Sequence, residues 1–157
     1  MSNKIPERVP EKLYEQILEN MPVLCIDIVV LHKGKVLLVQ RGEEPEKNSW
    51  WLVGGRVYKN ESFDEAVKRK VFEEVGLNVR IIKELGLYDY RFNKSRFPNL
   101  KTGIHTPTSV YIVEPIEEVN IKLDGTSIDY RWITHIEEGL PTFVRIILND
   151  SEVFALK

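Results

Sequence analysis

The chain has 157 residues, of which 43% are hydrophobic and 29% charged, and its formal net charge is -2 at pH 7. These values are typical of one globular domain that buries a core without disulfides. The small negative charge argues against a nucleic-acid partner. No stretch approaches the roughly 20 apolar residues that span a bilayer, and residues 1–21 lack the apolar core of a signal peptide. We therefore expect a cytoplasmic protein with no membrane partner.

We expect a single domain over residues 1–157, in which residues 1–20 are an N-terminal helical extension. Leu13, Ile17 and Leu18 recur at helical spacing within that extension. The helix packs either on its own domain or on a second subunit, and the sequence leaves both open. A β-branched run at 23–31, a short turn and a second apolar run at 36–40 then predict a hairpin.

The clearest helix is predicted at residues 62–75, after a polar loop at 41–48 and a short strand at 49–53. Ser62 followed by Glu65 is a capping box, and Gly76 fits the left-handed position past a helix end. The helix has an apolar stripe along one side, made of Phe63, Ala66, Val67, Val71 and Val75.

The second half of the chain predicts strands at 79–90, 108–113 and 129–133 and a last helix at 141–148. The intervening residues 91–107 predict a long polar and aromatic loop, and long loops in compact domains are often functional. Its aromatic and cationic side chains suit a nucleobase and phosphates, although a dimer contact or ordinary packing is an alternative. Tyr90, at the start of this segment, is a candidate substrate contact.

The informative motif is residues 55–77, which read GRVYKNESFDEAVKRKVFEEVGL. The segment resembles the signature of the Nudix hydrolases. Eight positions match that signature: Gly55, Glu61, Arg69, Val71, Glu73, Glu74, Gly76 and Leu77. With ordinary residue frequencies, such a match arises by chance at on the order of 10⁻⁷ per starting position. Lys70 departs from the signature, since the family has glutamate there.

The resemblance implies an α/β Nudix fold, in which a mixed β-sheet lies between α-helices (α/β/α). It also implies a Mg2+ ion, with Mn2+ as a possible substitute, held by Glu73, Glu74 and the carbonyl of Gly55. Hard oxygen ligands of this kind suit Mg2+. Neighbouring helix positions face about 100° apart, so both carboxylates can border one cleft. The family pattern further pairs Glu61 with Arg69.

Residues 23–133 resemble the branch that hydrolyses GDP-mannose, through Leu37-Leu38, the segment 54–57 and Asp129-Tyr130-Arg131-Trp132. This resemblance implies that Arg41 and Arg56 contact the diphosphate, a role that guanidinium groups suit through bidentate bonds. It also implies a nucleotide-sugar substrate such as GDP-mannose and, by family analogy, a homodimer.

The general base is not identified by the motif. The GDP-mannose branch has a histidine in the loop before the segment 129–132, and residues 124–128 here contain none. His105, whose side chain titrates in the useful range, and Asp124 are the candidates that join Glu73, Glu74 and Arg56 in a catalytic set. Attack at the sugar carbon and attack at phosphorus therefore both remain open.

Two alternatives to a nucleotide-sugar hydrolase follow from the same residues. One is a pyrophosphatase that acts on ADP-ribose or a nucleoside triphosphate. The other is a nucleotide-binding Nudix domain with little turnover, which Lys70 and the missing histidine would explain.

Overall fold

The computed structural model describes residues 8–155. Three helices and seven strands make up this part of the chain. In chain order they are α1 Glu11–Asn20, β1 Cys25–His32, β2 Lys35–Arg41, β3 Trp50–Trp51, β4 Val53–Arg56, α2 Phe63–Val75, β5 Val79–Phe92, β6 Ile104–Pro115, β7 Ser127–Ile133 and α3 Thr142–Ser151.

The strands form one mixed sheet with the order β3-β2-β1-β6-β5, while β4 pairs with β1 and β7 pairs with β2. Strand β1 is central, because it runs parallel to β6 and antiparallel to both β2 and β4. The last pairing places Gly54 and Gly55, which lie within β4, directly beside β1. The predicted mixed sheet is confirmed.

The two faces of the sheet carry different helices, as alternation along a strand requires. On one face, Ile26 and Ile28 of β1 pack with Val67 and Val71 of α2. On the other face, Val29 packs in the cluster that includes α3. The sheet therefore lies between helices, and the predicted α/β/α Nudix fold is confirmed.

Helix α2 begins and ends as its sequence predicts. The backbone N–H of Glu65 donates to the Ser62 hydroxyl at 3.2 Å, and the Glu65 carboxylate accepts from the Ser62 N–H at 2.7 Å. Gly76 ends the helix with φ of 74°, a conformation that glycine adopts without a Cβ clash. Both ends of the motif helix are thus fixed locally.

The long loop predicted at 91–107 is wrong at both ends. Strand β5 continues to Phe92 and β6 begins at Ile104, so that Arg91 pairs with His105 and only residues 93–103 connect the strands. The outer face of this hairpin is polar, and Pro107 lies within β6. For these two reasons the sequence here lacks the usual signals of a strand. Tyr90 and Phe92 instead face inward and pack around Trp51.

Helix α1 packs on its own domain. Leu18 of α1 is buried together with Val23 and Ile104. The first seven residues of the predicted extension lie outside the described residues. Across residues 8–155, no helix combines the length and apolarity that crossing a membrane demands.

Candidate active site

A cavity of about 380 Å³ opens between α1, α2, strand β4 and the β5–β6 hairpin. Five of the eight residues predicted to contact metal or substrate or to act in catalysis line it together: Arg41, Gly55, Arg56, Glu74 and Tyr90. Glu73, His105 and Asp124 are not among its lining residues. The cavity therefore gathers the predicted diphosphate contacts and one of the two predicted carboxylate ligands.

Of the two predicted carboxylate ligands, Glu74 is the one that lines this cavity, and its side chain is 8% exposed. Its Oε1 accepts a hydrogen bond from the Ser127 hydroxyl at 3.0 Å. The Gly54 N–H donates to Oε2 at 3.4 Å. Burial raises the pKa of Glu74, although the ammonium of Lys70 and the Ser127 hydroxyl act in the opposite direction. A buried carboxylate of this kind is stabilised by a bound cation.

Glu73 differs from the expectation that both carboxylates border the cleft. Its side chain is 45% exposed, and its Oε2 accepts from the Arg69 guanidinium at 3.0 Å. The two glutamates point about 100° apart around α2. Here that angle turns Glu74 toward the sheet and leaves Glu73 on the helix surface beside Arg69.

Arg69 connects α2 to the loop before it and to Arg56 at the end of strand β4. Its guanidinium contacts the Glu61 carboxylate, with Nη2 3.0 Å from Oε2, and Nη2 also donates to the backbone carbonyl of Arg56 at 3.2 Å. The Glu61 side chain is only 1% exposed, and it also accepts the Tyr58 N–H at 2.9 Å. The Glu61–Arg69 pair implied by the family pattern is therefore present.

The strand pairing shows that Gly54, rather than Gly55, turns its backbone N–H and carbonyl away from β1 and toward Glu74. The Val57 N–H donates to the Leu24 carbonyl, so the pair Leu24–Val57 is hydrogen-bonded. Alternation along the antiparallel ladder makes Ile26–Gly55 a hydrogen-bonded pair and Asp27–Gly54 a non-bonded one. The amide and carbonyl of Gly54 consequently point away from β1, on the side of Glu74.

Asp27 is a site residue that the sequence analysis missed. It lies on β1 and lines the cavity, and a Cβ added to Gly54 would overlap its carboxylate. Burial raises its pKa to about 8, partly offset by the charge of Arg41. The signal in the sequence was a single acidic residue within an otherwise apolar strand. Burying a carboxylate costs free energy, so such a residue indicates either a compensating partner or a function.

The two predicted arginines are held against aromatic rings. The Arg56 guanidinium carbon lies 4.4 Å from the centre of the Tyr14 ring. The Arg41 guanidinium carbon lies 5.8 Å from the Trp51 ring centre, and its Nε donates to the Pro45 carbonyl at 2.6 Å. Ring faces orient guanidinium groups while leaving their N–H donors free for an anion.

Helix α1 and the β5–β6 connection close one side of the cavity. The Tyr14 and Phe97 rings meet edge to face with centres 6.1 Å apart. Glu11 pairs with Arg96 at 2.7 Å, and the Glu19 carboxylate accepts the Lys101 N–H at 3.0 Å. Tyr14 was not predicted as a site residue, because its helix gives no functional signal in the sequence.

Tyr90 stands within an aromatic cluster on another side of the cavity. Its ring centre lies 4.0 Å from that of Phe143 and 5.8 Å from that of Trp51. The cluster supplies apolar surface close to Arg41 and Asp27, which lie on the same cavity.

The two proposed bases occupy different places. The His105 Nε2 lies 2.6 Å from Asp89 Oδ1 on the outer face of the β5–β6 hairpin, away from the lining residues. Asp124 accepts from the backbone and hydroxyl of Thr126, at 2.9 and 2.6 Å. Because Thr126 lines the cavity, Asp124 lies close to its rim.

No cluster of three or more histidine, cysteine, aspartate or glutamate side chains forms a ready metal site within residues 8–155.

Comparison with known proteins gives the family. The model of the NUDIX domain matches residues 21–147. The chain is 28% identical to the low-salt glycan biosynthesis protein Agl8 of Haloferax volcanii over 148 residues, which cover 94% of each chain. It is 34% identical to the ADP-ribose pyrophosphatase of Methanocaldococcus jannaschii over 87 residues, which cover 55% of this chain and 50% of that protein.

The fold is shared with a solved MutT NUDIX hydrolase from Burkholderia pseudomallei. That structure has a TM-score of 0.68 and 22% sequence identity, and the match covers 83% of this chain and 98% of that one. Because the family model matches most of the chain, and because strand β4, the following loop and helix α2 are arranged as the motif requires, the protein belongs to the Nudix hydrolase family.

Proposed function

We propose that this protein is a Mg2+-dependent hydrolase of a nucleoside diphosphate linked to a second group, and that its substrate is a nucleotide-sugar such as GDP-mannose. One observation carries the proposal. The buried Glu74 carboxylate meets the Gly54 backbone in a cavity that also holds Arg41 and Arg56. An anionic metal ligand beside two cations matches a metal–diphosphate group.

The site fits a hard divalent cation. Glu74 is a buried carboxylate whose pKa burial raises, so a cation would compensate its charge. We propose Glu74 and the carbonyl of Gly54 as ligands, in place of Gly55, with waters and phosphate oxygens completing the shell, as is usual for Mg2+. Glu73 could act as a ligand only if its carboxylate left the ion pair with Arg69 and turned toward the metal ion. When bound, the metal supplies charge neutralisation and a polarised water.

The side chains around the proposed metal position have separate roles in binding the substrate and in proton transfer. Arg41 and Arg56 bind the diphosphate oxygens, and the Tyr14 ring holds Arg56 in place. Tyr90 and its aromatic neighbours exclude water and pack against the nucleoside or sugar. Asp124, next to Thr126 at the rim of the cavity, is the carboxylate placed to accept a proton. Asp27, whose pKa burial raises to about 8, retains its own proton below that pH.

The glycan biosynthesis relative supports a sugar nucleotide, because it matches this chain over nearly its whole length. The test is a panel of nucleotide-sugars, dinucleotides and triphosphates with Mg2+ and full product identification. We expect a free sugar and a nucleoside diphosphate, with ¹⁸O from labelled water on the sugar. Label on phosphate would contradict hydrolysis at the sugar carbon, and activity unaffected by Glu74→Gln would contradict the metal site.

A pyrophosphatase is the second candidate, and the match to the ADP-ribose pyrophosphatase favours it. It would yield two phosphorylated products from ADP-ribose, whereas the first candidate yields one. A nucleotide-binding domain without turnover is the third. It is distinguished by nucleotide affinity in the absence of any Mg2+-dependent product.

We also propose that the protein is a cytoplasmic homodimer. Strand β5 lies at the end of the sheet, and Leu87 on it is 70% exposed. An exposed edge strand with apolar side chains favours pairing with another chain. Light scattering of the purified protein measures its oligomeric state, and a monomer mass at micromolar concentration would contradict the proposed dimer.

A further inference from the structure

Lys70 occupies the position at which the family signature has glutamate, and it lines the cavity. Its Nζ lies 3.8 Å from Glu74 Oε2, the oxygen that also accepts the Gly54 N–H. A Cβ added to Gly55 would lie 2.5 Å from Lys70 Cε and 3.3 Å from Nζ. The lysine therefore crosses directly over Gly55, and its ammonium stands beside the carboxylate assigned to the metal.

This placement differs from that of an ordinary surface lysine. Lys68, two positions earlier on α2, is exposed, whereas the Lys70 side chain is 19% exposed and turned into the cavity. Lysine usually extends its ammonium into water, since partial burial of the charge is costly. Among the described residues, Lys70 is one of six cationic side chains that line the cavity, and Arg41 and Arg56 are two of the others.

We propose that Lys70 is a substrate-binding residue, a built-in cation that contacts the diphosphate where a glutamate would instead recruit a metal ion. An ammonium offers three N–H donors and binds phosphate as a point charge. The inference rests on the proposed function, because it assumes that a diphosphate enters this cavity. It further implies that the site takes fewer divalent ions than one with a third glutamate.

The first experiment measures binding without metal. Inorganic pyrophosphate and ADP are titrated calorimetrically in EDTA into the wild type, Lys70→Gln and the matched control Lys68→Gln. We expect the affinity of Lys70→Gln to fall tenfold or more, and that of Lys68→Gln to stay within twofold. If Lys70→Gln loses thermal stability but binds pyrophosphate as the wild type does, Lys70 is only an ion-pair partner of Glu74 and the proposal is overturned.

The second experiment counts ions. Mn2+ is titrated in the presence of ADP and followed by electron paramagnetic resonance. We expect one bound ion per wild-type chain and a second ion in Lys70→Glu, whose new carboxylate stands beside Glu74. An equal number of bound ions in both proteins would overturn the proposal that Lys70 takes the place of a second metal ion.

The two proposals fail separately. Mg2+-dependent turnover together with unchanged pyrophosphate binding by Lys70→Gln would reject the role of Lys70 alone. If Lys70→Gln binds pyrophosphate more weakly but the wild type turns over no nucleotide, the binding role of Lys70 is supported and the hydrolase is rejected.

Discussion

The Ser127 hydroxyl donates to Glu74 Oε1 across 3.0 Å and so joins the first residue of β7 to the last turn of α2, 53 positions away in the chain. The bond fixes one carboxylate oxygen and leaves the other beside Gly54 and Lys70. A carboxylate held in this way is preoriented toward the cavity, which suits the metal-ligand role that we propose for it.

Glu74→Gln is expected to lower kcat by roughly 100-fold or more, because a metal ion supplies several kcal/mol of transition-state stabilisation. Ser127→Ala is expected to lower activity or metal affinity by about 10-fold, as loss of an outer partner does. Mg2+ titrations of initial rates measure both. Glu73→Gln is the comparison, and a greater loss in it than in Glu74→Gln would contradict the assignment of the inward carboxylate.

Tyr14→Ala is expected to raise KM by about 3- to 10-fold with a smaller change in kcat, because a cation–π contact contributes about 0.5 to 2 kcal/mol. The reason is the 4.4 Å approach of Arg56 to the Tyr14 ring. Tyr14→Phe keeps the ring and is the control. Steady-state kinetics check the pair, and equal KM values for the alanine and phenylalanine variants would argue against this role.

Glu61→Gln is expected to lower the free energy of unfolding by about 1 to 3 kcal/mol, because it weakens charge-assisted hydrogen bonds of a buried carboxylate. Glu114 pairs with Arg80 on an exposed surface, and Glu114→Gln is expected to cost no more than about 1 kcal/mol. Urea denaturation of both variants provides the measurement. Equal losses would show that Glu61 does not fasten the loop to α2.

Asp27 gives the protein a distinctive pH dependence. Burial raises its pKa to about 8 from an ordinary value of 3.8. The folded protein therefore retains a proton that the unfolded chain releases between these values. Its contribution to stability is complete below about pH 4 and is lost as the pH rises toward 8.

Relative to Asp27→Asn, the wild type in EDTA should thus lose stability across this range and no further above it. Thermal or urea unfolding at a series of pH values measures the difference. Parallel pH profiles for the two proteins would show that the carboxyl is not buried in its neutral form.

Much of the fold follows from local sequence signals. Ser62, Glu65 and Gly76 define α2 because capping depends on neighbours in the chain. The β5–β6 hairpin is different: Arg91 and His105 pair across the sheet, and that pairing has no local signature when the outer face is polar. Tertiary pairing, rather than residue preference, decided where these strands end.

The site was predictable to a similar extent. The motif predicted the Glu61–Arg69 pair, which the structure contains, and the family resemblance indicated Glu74 and Arg56, which line the cavity. It could not assign Tyr14 to the cavity, because α1 meets Arg56 only after folding. The resemblance also implied Gly55 as a metal ligand, whereas we propose Gly54, because the direction of a carbonyl depends on the register with β1.

The most direct test is a crystal structure with Mn2+ and a nucleoside diphosphate, in which anomalous scattering locates the metal. We predict an ion about 2.1 Å from a Glu74 oxygen and from the Gly54 carbonyl, bridged to a diphosphate that Arg41 and Arg56 contact. An ion bound elsewhere, with Glu74 still engaged only by Ser127, Gly54 and Lys70, would contradict the proposed metal-dependent hydrolase.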